Sequence, residues 1–126
     1  MKIAKILTLI GGAANAVFFL FHLWLGWQIH KWPNLSPGLL ALLEMLNGGG
    51  ALFILLFAVA SLACPADCLT TRLGRTMLVF VTALYCLRAL AEIFVSPVFQ
   101  PIIFIVCLAT GLLYLAIFIL ACRSRR

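Results

Sequence analysis

Acidic residues are scarce in this chain: among 126 residues Asp and Glu number 3, against 9 Lys and Arg. Charged side chains make up only 10% of the total, too few to clothe a soluble domain of this size. Several familiar chemical signatures are also missing. There is no phosphate-binding glycine loop, because Gly48-Gly49-Gly50 lies inside an apolar run with no lysine after it. No nucleophile elbow and no HExxH pattern occurs, so hydrolase and zincin chemistry have no motif to rest on. The 5 cysteines leave no pair for the outer face, which counts against a membrane thiol oxidase.

What the chain has instead is apolar mass. Hydrophobic residues make up 66% of it, gathered in runs of about 20, the length that carries a helix across a bilayer core of ~30 Å. Four such runs fit, near residues 6–29, 39–63, 76–95 and 98–121. The loops between them agree. KWPNLSPG at 31–38 and SPVFQP at 96–101 carry helix-breaking prolines, and CPADCLTTRLGR at 64–75 is the longest polar stretch. Short connections make antiparallel neighbours, so the expected architecture is all-α and integral to the membrane. It is a single domain over 1–126, an up-down-up-down bundle of four transmembrane helices.

A net charge of +6 is compatible with a nucleic-acid partner, but its distribution argues against one. Lys2, Lys5, Arg72, Arg75, Arg123, Arg125 and Arg126 fall on one side of the spans, with Lys31 alone on the other. That asymmetry places both termini and the middle loop in the cytoplasm, by the positive-inside rule, and the expected location is a bacterial cytoplasmic membrane. The opening MKIAKILTLIGGAANA imitates a signal peptide, yet its apolar pattern runs on through Trp27, so an uncleaved first helix is expected. Trp24, Trp27 and Trp32 gather at the outer end of that helix, where indole rings favour the membrane–water boundary.

Ionisable residues inside the spans carry the functional expectation. Gly11, Asn15, His22 and Gly26 recur at four- and seven-residue spacings on the first span, as do Glu44, Asn47, Gly48 and Ala51 on the second. Tyr85, Arg88 and Glu92 share a face of the third, while the fourth offers only Cys107, Gly111 and Tyr114. Counting inward at 1.5 Å per residue puts His22, Glu44 and Arg88 about 10–12 Å below the outer ends of their helices, and Glu92 about 6 Å. A lone charge near a helix centre costs about 2.5–3.5 kcal/mol on insertion scales, so these groups should turn inward and meet. Arg88 and Glu92 are within i,i+4 reach, and Glu44 would choose between Arg88 and His22. Two carboxylates against one guanidinium would then ask the layer to hold an extra proton, on His22 or a glutamate.

The expected ligand-binding set is His22, Glu44, Asn47, Tyr85, Arg88 and Glu92, with His22 and Glu44 as candidate acid and base. Asn15 and Gln100 are expected to be structural. The leading functional reading is a small multi-pass protein with a polar site in the outer half of the bilayer. That site would bind an amphiphile such as a quinone or lipid, or dock the protein into a larger membrane complex or a homo-oligomer. The alternatives are an enzyme using the His22–Glu44 pair on a lipid-soluble substrate, and a proton-coupled transporter, which four helices would have to oligomerise to build. Bis-histidine haem is disfavoured, since His22 and His30 lie about 12 Å apart along one helix. A metal on His22, Glu44 and Glu92 would sit beside a repelling Arg88, so none is expected. Cys64 and Cys68 are too few for structural zinc and are expected to be inert, reduced thiols, with lipid attachment as the alternative. Cys86 and Cys107 are expected as small core residues.

Overall fold

The computed structural model describes residues 1–124; Arg125 and Arg126, counted above in the charge bias, lie outside the described residues. Those described form five helices: α1 (Lys2–His30), α2 (Pro37–Ala63), α3 (Pro65–Thr70), α4 (Arg72–Phe94) and α5 (Pro101–Arg123). Among the described residues, four helices are long and apolar enough to cross a membrane: α1, α2, α4 and α5. At 29, 27, 23 and 23 residues they are about 35–43 Å long, more than the hydrocarbon core requires. Only 22–28% of the most apolar window of each is buried. Leu20, Leu46, Phe53, Phe80, Leu87 and Ile102 are among the many large side chains left on the outside. In water such a surface would aggregate; against acyl chains it is at home.

Local chemistry sets the helix ends. Ser36 caps α2 by accepting from the Leu39 amide at 3.3 Å, with Pro37 in the first turn where its missing N–H costs nothing. Asn34 turns the preceding loop through a positive φ of 67°, a conformation that asparagine tolerates better than most residues. The fourth span starts at Pro101 rather than at residue 98. Proline disfavours helical backbone in the residue before it, and Gln100 is extended at φ −107°, ψ 96°.

The stretch expected to be a polar loop contains α3. Pro65 opens it, and Asp67 in its first turn suits the positive end of the helix dipole. Cys68 and Leu69 are buried, and α3 touches all four long helices, closing one end of the bundle. Thr71 is extended and ends α3; its hydroxyl accepts from the Gly74 amide at 2.9 Å and so starts α4. A Cβ at Gly74 would collide with the Asp67 carbonyl and the Cys68 backbone, so this crossing needs glycine.

α1 packs along α2 and α4 along α5, and these two hairpins meet chiefly through α1 and α5. Contacts across α1 and α2 pair His30 with Glu44, Gly26 with Asn47, and Gly12 with Ser61 and Leu62. Position falls along α2 as it rises along α1. The apolar core, with Phe57, Leu69, Leu78, Val81, Tyr114 and Ile117 at its centre, sits toward the α3 end. Burial on α1 accordingly stops at Asn15, apart from Ile29.

Candidate functional site

The polar residues fall into separate clusters, not one layer. At the centre lies Asn15, fully buried on α1. Its amide donates to Tyr114 Oη at 2.8 Å and to the Gly11 carbonyl at 2.9 Å, while Tyr85 Oη donates to its Oδ1 at 2.6 Å. Ser61 Oγ lies 3.0 Å from Tyr114 Oη and brings in α2. One side chain from each long helix is thus joined by hydrogen bonds in a buried site. Tyr114 reaches Asn15 because Gly11 lies beneath its ring: a Cβ there would stand 2.8 Å from Tyr114 Cζ. Asn15 was expected to be structural, and Tyr85 to accompany Arg88; here Tyr85 binds Asn15 and stacks 5.6 Å from the Phe18 ring.

His22 is clasped by Asn47. The Asn47 amide donates to the His22 carbonyl at 2.9 Å, and its Oδ1 lies 2.9 Å from His22 Nδ1. An amide oxygen only accepts, so Nδ1 carries the hydrogen and Nε2 keeps its lone pair. Gly26 makes room, since a Cβ there would come within 2.9 Å of Asn47 Nδ2. Of the expected one-sided row on α1, Gly11 and Asn15 therefore face Tyr114 while His22 and Gly26 face α2. At 100° per residue the four stay within about 60° of one another, so what changes between Asn15 and His22 is the neighbour met at each height and not the face of α1.

Glu44 meets neither His22 nor Arg88. Its Oε1 lies 2.7 Å from Nδ1 of His30, with the two side chains 40% and 72% exposed. Counting Glu44 inward from the start of α2 gives its depth in the bundle only if α1 and α2 end level with each other. The pairs just given show instead that the first two turns of α2 stand beyond the end of α1, which lifts Glu44 to the height of His30. Arg88 is on α4, which packs chiefly on α5 and α3 and not along α2. The expected convergence of His22, Glu44 and Arg88 is thus corrected. Because Glu44 is committed elsewhere, the charge count that called for an extra proton in the layer no longer applies.

Arg88 and Glu92 do pair, as their spacing implied. Arg88 donates through one terminal nitrogen to Glu92 Oε2 at 2.7 Å. Glu92 Oε1 accepts from the Gln100 amide at 2.9 Å, tying the α4–α5 turn to the same carboxylate. Glu92 is 2% exposed but the Arg88 side chain is 47% exposed. The guanidinium is therefore anchored on one side and open on the other, and no further acceptor engages it among the described residues. A guanidinium carries five N–H donors, so most of them remain free.

Toward the same end, Lys31 Nζ sits 3.2 Å from the centre of the Trp27 ring. Cys68 donates its thiol to the Ala60 carbonyl at 3.3 Å; burial, then Cys64 and Asp67 beside it, hold its pKa above the ordinary thiol value. Among the described residues no three His, Cys, Asp or Glu side chains converge, and every buried side-chain N or O has a partner. Comparison with family models, curated proteins and solved structures gives no match to this chain.

Proposed function

We propose that this chain is a small four-span membrane protein that binds an amphiphile, a lipid or a quinone, through the Arg88–Glu92 pair. The observation that carries this reading is the half-exposed guanidinium held in place by a buried carboxylate. Intramembrane cations that serve only packing are usually engaged on all sides, because an unmet N–H in hydrocarbon is costly. Here the carboxylate is buried and accepts at both oxygens, while most of the guanidinium donors face outward and unengaged. Glu92 orients Arg88, and Arg88 meets the ligand.

The descending pairs along α1 and α2, together with the one-sided lysines and arginines, support an up-down-up-down bundle with both ends cytoplasmic. In that orientation Arg88 lies in the outer half of a cytoplasmic membrane. Catalysis by a His22–Glu44 acid–base pair would need the two side chains to face one another, and each has a different partner. Docking to a membrane partner or a second copy has one supporting observation: Gly48 and Gly49 are exposed on α2, and a Cβ on either would meet nothing.

The test is mass spectrometry of the small molecules kept after gentle detergent extraction. An amphiphile should stay with the wild-type protein. It should be lost from a double variant, Arg88→Leu with Glu92→Leu, which removes both charges together and leaves neither orphaned. Equal retention by the two proteins would refute the reading.

A further inference from the structure

We infer that Arg88 takes an uncharged oxygen acceptor, the carbonyl of an ester lipid or a quinone, and not an anionic head group. This rests on the amphiphile-binding reading above and narrows its ligand. The first argument is hydrogen-bonding capacity. Glu92 is only 2% exposed and each of its oxygens already accepts a bond, one from Arg88 and one from the Gln100 backbone amide, so what the pair turns toward a ligand is the free N–H groups of Arg88. A ligand that accepts fits; one that must donate does not.

Charge supplies the second argument. Arg88 and Glu92 cancel, so a neutral acceptor leaves the site neutral, whereas a phosphate or carboxylate would leave it negative in a medium of low dielectric. Sites for anionic lipid heads gather several Lys and Arg residues. Here the sequence holds none between Lys31 and Arg72, and none between Arg88 and Arg123. Lys31, the one other cation expected on this side, already lies on the Trp27 ring.

Depth and surroundings supply the third. Arg88 is six residues from the end of α4, or about 9 Å along the axis, and Glu92 draws its guanidinium one turn outward. That is the level at which acyl chains give way to ester linkages, short of the head-group charges. Leu84 and Leu87, exposed on the neighbouring surface, offer an apolar track for the tail. Arginine would ordinarily extend to reach water, but a carboxylate that is 2% exposed holds this one back.

The experiment titrates four probes into the purified protein in a mild maltoside detergent and reads occupancy by native mass spectrometry. The probes are diester phosphatidylcholine, its diether analogue without carbonyls, diester phosphatidylglycerol, and a decyl-substituted benzoquinone. If a lipid ester is the source, wild type should bind the diester at least fivefold more tightly than the diether. The Arg88→Leu/Glu92→Leu variant should abolish that gap. If a quinone is the source, the gap should be absent and the benzoquinone should bind with the same dependence on the pair. Glu92→Gln removes the compensating charge and should turn preference toward phosphatidylglycerol by several-fold. Wild type already favouring phosphatidylglycerol over phosphatidylcholine, in a pair-dependent way, would overturn the inference and leave amphiphile binding standing. No pair-dependent binding of any probe would overturn both.

Discussion

Replacing Asn15 with leucine removes the junction of the four long helices while nearly conserving volume, so the effect reads hydrogen bonding and not a cavity. The lost interhelical bonds are those to Tyr114 at 2.8 Å and from Tyr85 at 2.6 Å. Interhelical hydrogen bonds in membrane proteins average ~0.6 kcal/mol and reach ~1.7, because the unfolded chain in the membrane also finds partners. Two of them, with a Tyr85 hydroxyl left buried and alone, should cost about 1–3 kcal/mol, or roughly fivefold to 150-fold in the unfolding equilibrium. Tyr114 keeps Ser61, which limits the damage on that side. Equilibrium unfolding in mixed micelles measures the loss, and Tyr85→Phe completes a double-mutant cycle. A coupling energy under about 0.3 kcal/mol between the two positions would refute the reasoning, since it would assign no energy to a short bond between two buried groups.

Glycine substitutions should separate close crossings from open faces. Gly11→Ala forces a methyl against the Tyr114 ring and should cost about 1–3 kcal/mol, whereas Gly49→Ala meets nothing and should be neutral or stabilising by up to ~1 kcal/mol in the same unfolding assay. His30→Ala should cost under ~1 kcal/mol, because its partner Glu44 is exposed and solvent screens the pair; a larger loss would mean that the pair fixes the hairpin. Cys68 should alkylate more slowly than exposed Cys64 at pH 7–8, as burial and a raised pKa both reduce accessible thiolate. The gap should narrow as pH rises, and equal rates at neutral pH would contradict the packing of α3.

The four spans were legible because apolar runs of that length have few other uses. α3 was not, because six residues among threonines and arginines read as a loop until packing on four neighbours stabilises them. The Arg88–Glu92 contact could be read from i,i+4 spacing, since the helix itself fixes it. The fate of Glu44 could not: it depends on how far α2 overshoots α1, and that is set by the loop geometry around Asn34. Asn15 was undervalued for a related reason. Its partners Tyr85 and Tyr114 lie 70 and 99 residues away, and only the tertiary arrangement makes them neighbours. A signal was present in Gly11, one turn before Asn15, which marks a place where something large comes close.

The docking of α3 against every long helix bears on how the chain avoids exchanging parts with a neighbour. Two hairpins joined by a slack tether could trade places between molecules and make a domain-swapped dimer at little cost. Here the tether is itself packed: Leu69 is 2% exposed, and Gly74 admits the backbone of α3 against α4. Swapping would require pulling that plug and rebuilding it from mixed chains. A packed tether of this kind favours pairing of the two hairpins within one molecule over exchange between molecules.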